Sequence, residues 1–147
     1  MLGTRVMKIT IGTDHRGFIL KNIIVTSIDS HEFLDIGCFD DNRCDYPEFA
    51  KKVVDVVLSE KADMGILLCG SGIGMAIAAN RYKGIFAGLC WSPDVAIAGR
   101  QDDNINILVL PADFISPEQA ITTVRAWLNA TFKGEHYQKR LEMIDSE

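Results

Sequence analysis

The stretch 68–75 reads LCGSGIGM: a cysteine ends an apolar run, and glycines follow at positions 70, 72 and 74. A loop of small residues that opens a helix can aim several backbone N–H groups at one point, which makes a seat for an anion, either a phosphate or a developing oxyanion. Cys69 heads that loop, where the partial positive charge of a helix N-terminus is expected to lower its pKa and offer a thiolate as base or nucleophile. The plainer alternative is a cysteine that merely ends a buried strand. A second group, Asp14, His15 and Arg16, follows the first apolar run. Adjacent carboxylate and imidazole suit general-acid or ring-opening work near neutral pH. The plainer alternative there is Asp14 as a helix cap with His15 in solvent. His31 falls on a surface turn. His136, at the head of the last helical segment, stands either to contact an anion or to be exposed.

Two nucleotide motifs come close and fail. The dinucleotide pattern G-x-G-x-x-G that starts at Gly70 needs a glycine at position 75, where Met75 stands, while Gly74 falls one place early. GTDHRG spaces Gly12 and Gly17 like the glycines of a P-loop, and Asp35 ends the second apolar run where a ribose-binding acid could sit. Phe18 and Ile19 nonetheless replace the Lys and Ser/Thr that hold phosphate and magnesium.

These groups need a frame that gathers them. The runs MKITIG, EFLDIG, MGILLC, IFAGLC and INILVL have the length and composition of five buried strands. Helical periodicity between them predicts helices over 17–27, 47–59, 73–82, 93–100 and 117–130, with Pro47, Pro93 and Pro117 at positions where a first turn tolerates proline. Strand and helix alternating five times imply an α/β fold, a five-stranded parallel sheet with helices on both faces. The last segment, GEHYQKRLEMIDSE, is helix-compatible, with Tyr137, Leu141 and Ile144 along one side. It either covers its own sheet or reaches onto a partner. Ligands of open parallel sheets bind beyond the carboxyl ends of the strands, and the polar and small residues of this chain crowd the loops at that edge.

With 147 residues, 48% of them hydrophobic, the chain suffices for one core and is expected to form a single domain over 1–147. A net charge of -5 argues against nucleic acid as a partner. The N-terminal stretch has no leader-like apolar segment and no run approaches a bilayer span, so a soluble, cytoplasmic protein without a membrane partner is expected. Four cysteines without a CxxC pair read as free thiols, with Cys38, Cys44 and Cys90 as small packing residues. A zinc site from His31, Cys38 and Cys44 matches no common ligand spacing, and no metal is expected.

In order and at their spacing, KITIGTDHRGFILK, DYPEFA and GILLCGSGIGMAIAANRYKGIFAGLC resemble the ribose-5-phosphate isomerase B and galactose-6-phosphate isomerase family over nearly the whole chain. The resemblance implies a three-layer Rossmann-like sandwich. It also implies a homodimer with shared active sites, the C-terminal helix at the dimer interface, and aldose–ketose isomerisation of a phosphosugar without metal or organic cofactor. By position, Cys69 would be the base that moves the carbon-bound proton, and Met75 occupies the place of the glutamate that some members use instead. Ser71 and the amides of Gly70, Gly72 and Gly74 would hold the enediolate, and Asp14, His15 and Tyr46 would meet the sugar or its phosphate. Arg140 matches a phosphate-binding arginine.

The departures lie in the second half. Asp102 stands where the family usually has the histidine that protonates the ring oxygen, and Asp103 stands where it usually has asparagine. Asp113 and His136 occupy arginine positions. Acids beside a dianion weaken its binding unless cations such as Arg16, Lys139 and Arg140 compensate. The implied reaction is interconversion of ribose 5-phosphate and ribulose 5-phosphate through a cis-enediolate, in the pentose phosphate pathway. Its rivals are isomerisation of another aldose phosphate, such as a hexose or allose 6-phosphate, and a phosphosugar-binding dimer without catalysis.

Overall fold

The five apolar runs pair into one wholly parallel sheet of β1 (Lys8–Thr13), β2 (Glu32–Asp35), β3 (Met64–Cys69), β4 (Ala87–Leu89) and β5 (Ile107–Pro111). Their order in space is β2-β1-β3-β5-β4. The structure is a computed structural model and describes residues 5–146; the first four residues of the N-terminal stretch and Glu147 lie outside the described residues. Every residue of β3 and β5 is buried, as strands covered on both faces require, while the edge strands β2 and β4 are partly accessible.

Five helices follow the strands: α1 (Phe18–Ser27), α2 (Tyr46–Leu58), α3 (Ile73–Ala79), α4 (Pro93–Asp103) and α5 (Pro117–Asn129). A sixth, α6 (His136–Asp145), ends the chain. Because side chains alternate along a strand, Ile66, Leu68, Leu108 and Leu110 project toward Leu20 and Ile24 of α1, Ala96 of α4 and Trp127 of α5. Leu67, Cys69, Ile107 and Val109 project the other way, against Val53 and Val54 of α2 and Met75 and Ala79 of α3. The result is the expected three-layer α/β sandwich. Pro47, Pro93 and Pro117 each occupy a first helical turn, and Ser92 and Ser116 cap α4 and α5 by accepting from the amides of Val95 and Gln119 at 3.4 and 3.1 Å.

Three elements differ from the sequence expectation in ways that matter for the site. Helix α4 continues past 100 to Asp103, because Asn104 turns left-handed (φ 50°) and Arg100 Nη1 donates to Asn104 Oδ1 at 2.7 Å and to the Ile105 carbonyl at 3.1 Å. Strand β4 is only three residues long and α3 ends at Ala79. The Asn80 amide, which follows α3, joins the two: it brackets Ala87 like a neighbouring strand, accepting from its N–H at 2.8 Å and donating to its carbonyl at 2.9 Å. Helix α6 lies at the end of α4, with the Lys133 amide donating to the Gln101 carbonyl at 3.0 Å. Of the three apolar residues expected along its side, Leu141 is buried, Tyr137 is half-buried and Ile144 is 61% exposed. Among the described residues no helix is long and apolar enough to cross a membrane.

Candidate active site

The chain leaves β1 toward one edge of the sheet and β3 toward the other, so the loops after these two adjacent strands part from each other. Such a switch point opens a crevice beyond the strand ends. Its floor is pinned by the Asp14 amide and Thr13 Oγ1, which both donate to the Leu68 carbonyl at 3.2 Å.

Cys69 ends β3 in this crevice and is 5% exposed. Gly72, left-handed at φ 79°, caps α3 and aims its N–H at the Cys69 sulfur over 3.1 Å. Burial pushes the Cys69 thiol up, and this outweighs the amides of Met75, Gly72 and Gly74, which favour the thiolate. The expected lowering at the helix N-terminus is therefore present but is overtaken by desolvation. Met75 is fully buried in the core beneath the loop.

Around the thiol stand the other residues of this edge. Asp14 caps the 3-10 turn His15–Gly17: its Oδ1 accepts from the amides of Arg16 and Gly17 at 2.9 and 3.3 Å, and the residue is 6% exposed. The plain capping role is thus realised in a buried carboxylate at the rim. His15 is half-buried, and its Nδ1 accepts from the Cys44 amide at 3.3 Å. A neutral His15 then carries its proton on Nε2. The Cys44 amide is a contact that sequence reasoning missed; only the nearness of DNRCDY to the same strand edge signalled it. Tyr46 opens α2 and lays its ring on Gly74, where an added Cβ would stand 2.7 Å from the ring's Cζ. Ser71 is exposed, with Oγ accepting from the Ile73 amide at 3.2 Å. The guanidinium of Arg16 forms an ion pair with Asp113, which follows β5.

The remaining expected site residues are not in this cluster. Helix α4 runs back from the end of β4 toward the start of β5, so Asp102 and Asp103 lie at the opposite edge of the sheet. Asp102 pairs with Lys133 at 3.3 Å. Asp103 lines a cavity of about 540 Å³ together with Arg81, Lys83, Phe86 and Leu141. His136 and Arg140 sit on exposed turns of α6 about Tyr137, His136 at 4.2 Å between ring centroids and Arg140 with its guanidinium carbon 5.5 Å from the Tyr137 ring.

Two further sequence candidates are absorbed by structure. Asp35 neutralises Lys21 at 2.8 Å, a side chain only 1% exposed that also donates to the Cys38 carbonyl at 2.7 Å. His31 Nδ1 accepts from the Met7 amide at 3.0 Å. Among the described residues no group of three or more His, Cys, Asp or Glu gathers as metal ligands would.

The chain matches the Ribose/Galactose Isomerase family over residues 9–144. It belongs to that family. Among the family's members, the ribose-5-phosphate isomerase B of Escherichia coli (strain K12) is 40% identical over 139 residues, spanning 93% of either chain. A ribose 5-phosphate isomerase of Thermotoga maritima superposes with a TM-score of 0.95 at 44% identity, covering 97% of this chain and all 100% of that one. The ribose-5-phosphate isomerase B of Mycoplasma genitalium, solved with bound ribulose-5-phosphate, superposes with a TM-score of 0.88 at 38% identity, covering 95% of this chain and 94% of the other. The parallel sheet and its covering helices are thus the fold of this isomerase family.

Proposed function

We propose that the chain is a single phosphosugar isomerase domain that interconverts D-ribose 5-phosphate and D-ribulose 5-phosphate, acting in the cytoplasm as a homodimer. The observation that carries this reading is Cys69: a buried thiol at the switch point, with the Gly72 amide on its sulfur at 3.1 Å and Asp14 and His15 on the neighbouring loop.

In the proposed mechanism His15 acts on the closed sugar: its Nε2–H hydrogen-bonds the ring oxygen, the C1 hydroxyl proton passes to that oxygen as the ring C1–O bond breaks and the C1 carbonyl forms, and the imidazole stays neutral. The Cys69 thiolate then takes the proton from C2. The electron pair moves into a C1–C2 double bond, and negative charge collects on the C1 oxygen of a cis-enediolate. Amides of the 70–74 loop and the Ser71 hydroxyl stabilise that charge. After a proton passes between the two enediol oxygens, the Cys69 thiol returns its proton to C1 and the carbonyl forms at C2. Burial favours the neutral thiol and the amides favour the thiolate, so the sulfur is suited to carry a proton in both directions.

The homodimer is supported by the division of the site residues. Cys69, Asp14, His15 and Tyr46 occupy one edge of the sheet, while Asp102, Asp103, His136 and Arg140 occupy the other. A second copy related by a two-fold axis can bring the second set to the first. Ile73 and Ile77, one turn apart on α3 and each 55% exposed, offer an apolar face beside the Cys69 loop for that contact. Asp113 and Asp102, acids in a site for an anion, favour keeping one second reading, isomerisation of a different aldose phosphate.

The deciding experiment incubates the purified protein with ribose 5-phosphate in deuterated buffer without added metal, and follows ribulose 5-phosphate formation and exchange of the C2 proton by NMR. Allose and hexose 6-phosphates run in parallel test the second reading. Cys69→Ala should abolish both signals while the circular dichroism spectrum is retained. A fully active Cys69→Ala protein would remove the proposed base.

A further inference from the structure

Arg16 follows β1 and Asp113 follows β5, and β3 lies between these strands. Their ion pair therefore crosses the end of β3, directly over the residue that follows Cys69. That residue is Gly70: a Cβ there would stand 2.7 Å from both Arg16 Nε and Asp113 Oδ2. The Asp113 amide also donates to the Gly70 carbonyl at 2.9 Å, so the acid is held by the loop it overhangs. The side chains are 59% and 32% exposed. An ion pair so open to water contributes little to stability, so the fold gives no reason of its own for the arrangement. What the pair does fix is direction. A guanidinium has five N–H donors in a rigid fork, and a carboxylate that engages one edge leaves the others for a second anion.

We propose that Arg16 holds the phosphate of the substrate in this half of the site and that Asp113 is its positioning residue, an acid that improves the binding of an anion. The inference rests on the phosphosugar reading above. Asp113 orients the Arg16 fork over Gly70, within one residue of the thiol, and the loss in direct repulsion is smaller than the gain in orientation. Without Arg16 the same carboxylate only repels.

The test compares the full-length protein with Arg16→Ala, Asp113→Asn and the double variant. It reads KM and kcat for ribose 5-phosphate, and the dissociation constant of inorganic phosphate by calorimetry, with melting temperature as the check on folding. Arg16→Ala should raise KM and the phosphate constant roughly 10- to 100-fold, the range of a lost charge-assisted contact, and change kcat far less. Asp113→Asn should also raise both, although it removes a negative charge. In the Arg16→Ala background the same Asp113→Asn change should lower them, and that reversal of sign is the signature of positioning. Phosphate binding indifferent to Arg16→Ala, or an Asp113→Asn protein that binds phosphate as well as or better than the parent, would overturn the proposal. Turnover of ribose 5-phosphate with both variants silent sinks the pair and keeps the isomerase. Arg16-dependent phosphate binding without turnover does the reverse.

Discussion

The backbone amide of Gly72 points at the sulfur of Cys69 over 3.1 Å, and it does so from a left-handed conformation with φ 79°. One residue thus sets both the start of α3 and the polar environment of the thiol. An alanine there meets two obstacles: its own backbone preference, and Leu89 Cδ1, which lies where the Cβ would go. Gly72→Ala should lower stability by about 1–3 kcal/mol and reduce turnover more than substrate affinity, because the displaced amide serves the sulfur and, in the proposed mechanism, the enediolate. Urea denaturation and steady-state kinetics on the same preparation check this. Normal turnover in a destabilised variant would separate the turn from the chemistry.

Burial holds the Cys69 thiol above its ordinary range, so the thiolate fraction is small at neutral pH and grows as pH rises. Alkylation of Cys69 by iodoacetamide should therefore be slow near neutrality and accelerate into the alkaline range, and ribose 5-phosphate should protect it. The value of kcat/KM should rise along the same limb, since in the proposed mechanism the free enzyme must lose that proton before Cys69 can act as base. An alkylation rate that is flat from mildly acid to neutral pH would mean a thiolate already formed.

Much of this frame was legible because it follows from local pattern. MGILLC and INILVL are continuous apolar runs, and continuous runs flanked by helices read as the inner strands of a parallel sheet; β3 and β5 are those strands. LCGSGIG was legible as a glycine loop opening a helix because glycine spacing and a following helix are local features, and in the structure the amides of that loop converge on the Cys69 sulfur. The direction of the thiol shift was not: it depends on how completely α2 and α3 cover β3, which no spacing encodes. Nor was the Arg16–Asp113 pair, which joins loops after β1 and β5 only because β3 inserts between them. Strand order is a tertiary property. The polar string RQDDN concealed three residues of α4, because its helix is held by Arg100 reaching Asn104 and Ile105 rather than by apolar periodicity.

Cys90 lies in the core beyond β4, 1% exposed, and burial pushes its thiol up to about 11. In the unfolded chain that thiol ionises near its ordinary pKa, so the unfolded state releases the proton first as pH rises. The folded state's advantage is complete below about pH 8.5 and is lost progressively toward about pH 11, on the order of 3 kcal/mol for this group. Replacing Cys90 with alanine should lower stability at neutral pH through the small cavity it leaves, yet flatten the alkaline decline. Urea midpoints of both proteins across that range supply the comparison, and parallel declines would show that Cys90 does not carry the linkage.

The division of the site residues between the two edges of the sheet makes a prediction about mixtures. If a partner copy supplies Arg140 to the crevice that holds Cys69, then Cys69→Ala and Arg140→Ala damage different halves of every site. Each variant alone forms dimers in which both sites are defective. Co-refolding the two in equal amounts gives about half mixed dimers, in which one of the two sites combines an intact Cys69 with an intact Arg140, so total activity should recover to about a quarter of the parent's. Mixing without subunit exchange should restore nothing, which provides the internal control. If each chain instead folded α6 over its own crevice, every site in every mixture would carry one of the two defects, and co-refolding would leave activity at the average of the two variants. In the structure His136 and Arg140 lie on α6, which rests at the far end of α4, so recovery on co-refolding is the expected result.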